Sequence, residues 1–144
     1  MPARQRSPRR DNPAMRKDVV ARGPRGCVLL IDSITQLAAG DEGAIVVSGS
    51  HGGASSGTFA LELPLRLVFF NDAGVGKDEA GIAALAMLQA RGVAAVALAH
   101  TSARIGDALD AWQHGVISRV NDQAHVLGLR RGQSVRDAAE RLLG

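Results

Sequence analysis

The chain has 144 residues, of which 46% are hydrophobic and 22% are charged. This length suits one domain with a buried core, and we expect no second domain. The longest apolar run, residues 93–99, is far shorter than the roughly 20 residues that cross a bilayer, so no membrane partner is expected. The single cysteine, Cys27, cannot form an internal disulfide, and no apolar signal segment follows Met1, so we expect a cytoplasmic protein.

The first 25 residues differ in charge from the rest of the chain. Residues 1–25 hold eight Arg or Lys against two Asp, a balance of +6, whereas residues 26–144 hold nine basic and twelve acidic residues. With four prolines and little apolar content, residues 1–25 are predicted to be a disordered basic tail before a single domain at 26–144. The tail could make weak, non-specific nucleic-acid contacts, or it could be only a solvated extension.

Four apolar runs that stop abruptly at polar residues predict the strands of a sheet. They cover residues 27–31, 44–47, 67–70 and 93–99. Continuous apolar and β-branched sequence, without strict alternation, indicates parallel strands that are covered on both faces. We therefore predict an α/β fold with about four mostly parallel strands flanked by helices, in a three-layer Rossmann-like or flavodoxin-like sandwich.

The segments between and after these runs predict helices. Residues 80–91 are rich in Ala, Leu and Met and stop at Gly92, and Asp78 is interpreted as the N-cap of this helix. Such an Ala-rich helix could also pack against a second copy of the chain. Other helices are predicted at 58–63, at 105–112, over 116–127 and from Ser134 onward.

The connection between the first two runs, residues 32–43, leaves two interpretations open. Its length is barely enough for a crossover between parallel strands. A hairpin turning at residues 40–43 would instead make the first two strands antiparallel. We favour the crossover, because sequential strands of an α/β sheet are usually joined in this way.

The polar residues that end the four runs are the candidate functional residues. If the strands are parallel, these residues lie along the carboxyl edge of the sheet, where ligands bind in doubly wound folds. A site at that edge would be within reach of one small molecule. The residues concerned are Asp32, Ser50, His51, Asn71, Asp72, His100, Ser102 and Arg104.

The glycine-rich loop at residues 48–57, SGSHGGASSG, is typical of an anion site, because small residues leave the backbone amides accessible before a helix. Ser50, Gly52 and Gly53 would contact the anion. The glycines could alternatively serve only a tight turn from strand to helix. The loop matches neither the Walker nor the dinucleotide pattern, and we expect no cofactor.

Two histidines and a carboxylate are the candidate catalytic groups. His51 and His100 each follow a strand and could move protons, and Asp72 could orient one of them or hold a substrate group. Arg104 could hold a carboxylate or phosphate, unless it pairs with Asp107 or Asp72. Asp32, Asn71 and Ser102 are expected to contact the substrate.

These groups favour proton transfer or hydrolysis on a small anionic metabolite. A serine nucleophile, Ser50 or Ser102, is a weaker interpretation, because there is no Gly-x-Ser-x-Gly elbow. A metal held by the two histidines is also disfavoured, because no close ligand spacing occurs, and we expect no metal. The alternative function is a non-catalytic domain that binds an anionic metabolite or regulates through it.

Three sequence blocks resemble the signature blocks of an uncharacterised bacterial α/β family. They are SGSHGG at 48–53, NDAGVG at 71–76 and SARIGD at 102–107, and the likeness covers nearly all of the chain after Gly26. The resemblance implies that these loops form one site, and it implies no activity.

A weaker similarity is to the caspase-like peptidases. In that family an apolar strand ends in a His-Gly pair and the next strand ends in the nucleophilic cysteine. Here His51 and Gly52 match the pair, whereas Asp72 or Ala73 stands where the cysteine would be. The similarity therefore implies a related strand order without that peptidase activity.

Overall fold

The computed structural model describes residues 15–144, which contain six strands and five short α-helices. The strands are β1 (Lys17–Gly23), β2 (Gly26–Ile31), β3 (Ile45–His51), β4 (Leu67–Asn71), β5 (Ala94–Leu98) and β6 (Ile117–Val120). The helices are α1 (Ala54–Ala60), α2 (Ala83–Gln89), α3 (Ala108–His114), α4 (Asp122–Val126) and α5 (Val135–Arg141). Two 3-10 segments, Ile34–Gln36 and Lys77–Ile82, lie in the connections. None of the helices in this part of the chain is long and apolar enough to span a membrane.

The six strands form one mixed sheet in which they lie in chain order from β1 to β6. Strands β2 to β5 are parallel, and β1 and β6 pair with their neighbours antiparallel. The predicted α/β class and mostly parallel sheet are confirmed, but the sheet has six strands instead of about four. The parallel pairing of β2 with β3 also confirms the crossover over residues 32–43 and excludes the hairpin.

The strand order differs from that of the Rossmann and flavodoxin sheets. In those folds the order reverses at a switch point, whereas here each crossover moves one strand in the same direction. Right-handed crossovers of this kind all lie on one face. Accordingly, Ile34, α1 and α2 pack on one face of the sheet, and α3 and α5, which come after β5, pack on the other.

Alternating strand residues build the two cores. Val28, Val47 and Phe69 face the cluster that contains Trp112 of α3, while residues one position away face the opposite cluster with Leu88 of α2. Continuous apolar runs therefore reflect burial on both faces, as the sequence indicates.

Strand β1 corrects the predicted boundary of the basic tail. Residues 17–23 are a strand, whereas residues 1–14 lie outside the described part of the chain. The side chains of β1 are mostly exposed, so composition gave no sign of it. Backbone pairing forms the strand instead, with Lys17 opposite Ile31 and Gly23 opposite Gly26 across a two-residue turn.

Two helix predictions were wrong in type or extent. Residues 116–127 were expected to be one helix, but they form β6 and then α4, separated by the buried Asn121. The helix expected from residue 80 begins only at Ala83. Asp78 is not its N-cap, because its left-handed backbone, with φ of 56°, interrupts the preceding 3-10 segment.

The remaining helices differ from the predictions mainly at their ends. Helix α1 covers residues 54–60, earlier than the expected 58–63, and α3 covers 108–114 with Asp107 as its N-cap. Helix α5 begins after Ser134, whose side chain accepts a hydrogen bond from the Asp137 amide, as the capping pattern predicts.

Candidate functional site

The two candidate histidines lie at the same edge of the sheet. His51, the last residue of β3, is in register with Asn71 of β4, and Asn71 is in register with Leu98 of β5. Because neighbouring strands are about 4.8 Å apart, the Cα atoms of residues 51 and 98 are about 10 Å apart. His100 follows two residues after Leu98, so the parallel strands bring both histidines to their carboxyl ends.

Residues 99–107, which we call the crossing segment, run back across this edge to reach α3 on the far side of the sheet. The Asn71 Nδ2 donates to the carbonyl of Ala103 (3.0 Å), and the amide of Gly106 donates to the carbonyl of Gly49 (2.6 Å). The Ala108 amide then donates to Oδ1 of Asp32 (2.9 Å). The crossing segment is therefore attached to the ends of β4, β3 and β2 in turn.

Asp72 and His100 form a hydrogen-bonded pair at the centre of the edge. Oδ1 of Asp72 lies 3.1 Å from Nδ1 of His100 and also accepts the backbone amides of His100 (3.1 Å) and Gly74 (2.8 Å). Oδ2 accepts the hydroxyl of Ser118 on β6 at 2.7 Å. The Asp72 side chain is only 7% exposed, whereas that of His100 is 55% exposed. A buried carboxylate thus holds a histidine whose other ring nitrogen is accessible.

The pKa of Asp72 is lower than its usual value. Burial by itself raises the pKa of this carboxyl, but the hydrogen bonds from Ser118, Gly74 and His100 outweigh burial. Asp72 is therefore ionised at neutral pH. Because an ionised carboxylate only accepts hydrogen bonds, Nδ1 of His100 must carry the proton, and the accessible Nε2 is the acceptor.

His51 has the opposite arrangement of ring protons. Its Nδ1 accepts the backbone amide of Gly53 at 2.9 Å. An amide can only donate, so Nδ1 carries no proton and the neutral ring carries it on Nε2. The two histidines therefore differ in what they offer: His100 offers a hydrogen-bond acceptor at Nε2, and the exposed His51 offers a donor.

The loop after Asp72 has a strained backbone. Ala73, Val75, Asp78 and Glu79 all have positive φ values, between 50° and 67°. A positive φ is rare for non-glycine residues and is an outlier for a β-branched one such as Val75. Each such residue costs about 1–3 kcal/mol, and strain of this kind clusters at functional sites. The loop also passes beside His100, because a Cβ added to Gly74 would lie 3.7 Å from Cε1 of the His100 ring.

Four of the predicted substrate contacts use their side chains within the fold. Asp32 accepts the amides of Arg16 and Ala108, and Ser50 accepts the amide of Ile34. Besides its bond to Ala103, Asn71 accepts the Ala73 amide. The Ser102 hydroxyl donates to the Ala99 carbonyl and accepts the Val116 amide. These four side chains therefore help to hold the edge together.

Three amides of the glycine-rich loop are used within the fold. The amide of Ser50 donates to the Ser48 hydroxyl, that of Gly52 to the Asn71 carbonyl, and that of Gly53 to His51. The glycines of the loop also let backbone segments approach closely, because they have no side chain. For instance, a Cβ on Gly49 would lie 2.6 Å from the carbonyl oxygen of Asp32. This arrangement corresponds to the tight-turn interpretation of the loop.

Arg104 is the exposed cation of the crossing segment. Its side chain is 80% exposed, and its Nη1 lies 3.9 Å from Oδ2 of Asp110, at the limit of an ion pair. Neither Asp107 nor Asp72, the partners considered from the sequence, has an ion pair with it in residues 15–144. The amide of Arg104 donates to Asp110, which, together with His114, lowers the pKa of the Asp110 carboxyl.

Ser118 is the residue of this cluster that the sequence did not indicate. It lies in a four-residue strand whose apolar neighbours also fit a helical spacing. Only the antiparallel pairing of β6 with β5 brings its hydroxyl to Asp72.

The arrangement provides an oriented base, a hydrogen-bond donor and an exposed guanidinium at one edge of the sheet. No group of three or more His, Cys, Asp or Glu residues in the described range is placed to hold a metal ion. Comparisons of the chain with protein-family models, with curated proteins and with solved structures found no match.

Proposed function

We propose that the carboxyl edge of the sheet catalyses proton transfer on a small anionic molecule. In this proposal His100 is the general base, Asp72 orients it and stabilises its protonated form, and His51 donates a hydrogen bond to the negative charge that develops on the substrate. Arg104 binds the anionic group of the substrate. The same arrangement would support hydrolysis, with a water molecule as the group that His100 deprotonates.

The observation that carries the proposal is the difference between the hydrogen-bond partners of Nδ1 in the two histidines, a carboxylate for His100 and a backbone amide for His51. The Asp72 carboxylate fixes the proton of His100 on Nδ1, and the Gly53 amide excludes it from Nδ1 of His51. General acid–base catalysis requires one acceptor and one donor in place before reaction. Two histidines held in opposite tautomers by buried or backbone partners meet this requirement.

The proton balance of the proposed step is simple. Nε2 of His100 accepts a proton from the substrate, and the ring becomes a cation beside the Asp72 carboxylate, which stabilises it. The Nε2–H of His51 donates a hydrogen bond to the substrate oxygen on which negative charge develops, and it keeps its proton. Return of a proton from His100 to the substrate, or exchange with water, restores the neutral His100 ring, and no oxidant or reductant is needed.

The substrate class rests on Arg104. A guanidinium with a loosely held partner can bind a carboxylate or phosphate through two parallel hydrogen bonds. Because the amides of Ser50, Gly52 and Gly53 are used within the fold, we assign the anion to Arg104 and not to these three residues. The site is at the surface, which suits a small substrate that exchanges freely with solvent.

Exchange of carbon-bound hydrogen tests the proposal. The protein would be incubated in D2O with pyruvate, acetoacetate and oxaloacetate, and loss of the C–H signals next to the carbonyl would be followed by NMR. Hydrolysis of p-nitrophenyl acetate tests the hydrolytic form of the reaction. We expect a rate above buffer that falls about 10²-fold or more in His100→Gln, because the general base is removed.

His114→Gln is the matched control, because His114 also pairs with an aspartate through Nδ1, at 2.8 Å, but on the exposed surface of α3. It should retain the wild-type rate. Equal rates in His100→Gln and wild type would contradict the proposal. Probe-induced NMR shifts at Arg104 without any turnover would instead support the non-catalytic, anion-binding alternative.

A further inference from the structure

Ser118, on β6, donates a hydrogen bond to the oxygen of Asp72 that does not contact His100. It lies on β6, which pairs antiparallel with β5 through an irregular register at Ala97 and Leu98. Its hydroxyl is 2.7 Å from Oδ2 of Asp72 and 3.3 Å from the carbonyl of Ala97. The shorter distance and the charge of the acceptor assign the hydroxyl proton to Asp72.

The two oxygens of Asp72 have different surroundings. Oδ1 receives the amides of Gly74 and His100 together with the His100 ring. Oδ2 receives, among the residues from 15 onward, a hydrogen bond from Ser118 alone. Burying a carboxylate oxygen without a hydrogen-bond donor disfavours its charged form. Within the described residues, the negative charge on Oδ2 is therefore stabilised by the Ser118 hydroxyl alone.

We propose that Ser118 is a positioning residue for the acid–base site. Its hydroxyl fixes Oδ2, so that Oδ1 faces His100 and keeps the ring in the orientation and tautomer of a base. This inference rests on the proposed function for its catalytic meaning. The chain Ser118, Asp72, His100 is nevertheless a statement about hydrogen bonds that can be tested without a substrate.

The segment that carries Ser118 is held firmly enough to do this. Ile117 is buried, and its amide and carbonyl bond to Gln133 and Gly132 on the outer side of β6. The amide of Ala99 bonds to the carbonyl of Val116. Residues 99 and 116 are thus hydrogen-bonded to each other next to His100. The backbone bonds of residues 116–133 hold Ser118 beside Asp72.

Removing the hydroxyl should change both members of the pair. In Ser118→Ala, Oδ2 of Asp72 is buried without its donor, so protonation of this oxygen becomes easier and the pKa of Asp72 rises. Without the Ser118 hydroxyl the carboxylate is also free to rotate, so Oδ1 no longer holds Nδ1 of His100 in one geometry. We expect the Nδ1-protonated form of His100, dominant in the wild type, to fall to a mixture of the two tautomers.

NMR of the full-length protein measures both effects. The side-chain ¹³C signal of Asp72 is followed against pH, and the ¹⁵N signals of the His100 ring report which nitrogen carries the proton. Ser118→Thr keeps the hydroxyl and should restore the wild-type pattern. Ser102→Ala is the matched control, because within residues 15–144 this hydroxyl bonds only to the backbone of Ala99 and Val116, beside the same histidine.

The proposal is supported if Ser118→Ala changes the Asp72 titration and the His100 tautomer, while Ser118→Thr and Ser102→Ala do not. It is overturned if folded Ser118→Ala keeps the wild-type signals, or if Ser102→Ala changes them equally. These results are independent of any turnover, so a failure of the proposed function in the exchange assay would be recognised separately.

Discussion

Replacing Gly49 by alanine tests how the crossing segment is attached to the sheet. Gly49 lies in β3 where the chain of residues 99–107 passes over it. A Cβ at this position would lie 2.6 Å from the Asp32 carbonyl oxygen, 2.7 Å from the Asp107 nitrogen and 2.7 Å from the Gly106 carbonyl carbon. All three are backbone atoms, so the contact cannot be relieved by turning a side chain.

The expected loss of stability follows from these contacts. Overpacking against fixed neighbours costs about 1–3 kcal/mol. The shift also weakens the hydrogen bond from the Gly106 amide to the Gly49 carbonyl, which contributes about 1 kcal/mol. We therefore expect the free energy of unfolding of Gly49→Ala to fall by about 2–4 kcal/mol.

Urea denaturation followed by circular dichroism measures this change as a lower midpoint. Gly53→Ala is the matched control: the nearest atoms to its added Cβ, at 2.7 Å, belong to the movable His51 ring, and the next is 3.6 Å away. The control should lose at most about 1 kcal/mol. If Gly49→Ala is as stable as the wild type, the crossing segment is not packed on β3 as described.

Three further predictions concern Asn121, Asp72 and His51. Asn121→Ala should lower the free energy of unfolding, measured by urea denaturation, by about 2 kcal/mol or more. The side chain of the buried Asn121 bonds to four backbone groups, in β5, α2, α4 and the residue before β5. The folded-state pKa of Asp72 is lowered, so its contribution to stability is present above about pH 4 and is lost as the pH falls through the folded pKa. Asp72→Asn should therefore show a flatter stability profile between about pH 5 and 2. In Gly53→Ala the His51 ring must move away from the amide of residue 53, so its ¹⁵N signals should report mixed tautomers.

The placement of the two histidines and Asp72 at the carboxyl edge could be predicted because it depends on a local rule. A strand that is buried on both faces has continuous apolar sequence, and its polar end marks the carboxyl edge. His51, Asp72 and His100 lie there for this reason. The tautomer of His51 likewise depends on a near neighbour in the chain, because its Nδ1 accepts the amide of Gly53, two residues away.

The use of the other polar residues could not be predicted, because their partners are distant in the chain. Asp32 bonds to a residue 76 positions away, Asn71 to one 32 positions away, and Ser50 to one 16 positions away. The sequence indicates that these side chains reach the edge, but not which backbone amides they meet there.

The edge strands escaped prediction for a different reason. Strand β1 has almost no buried side chains, and β6 is four residues long, too short for an alternating pattern to be distinguished from a helical one. Both strands depend on backbone pairing with a neighbour. Ser118 was overlooked as a consequence, because its role requires β6 to lie beside β5.

The ¹⁵N spectrum of the histidine rings tests the central claim most directly. At a pH where both rings are neutral, we predict the proton of His100 on Nδ1, facing Asp72, and the proton of His51 on Nε2. The two residues should thus give opposite patterns in one experiment. If both rings carry the proton on the same nitrogen, the edge does not hold a base and a hydrogen-bond donor, and the proposed function is contradicted.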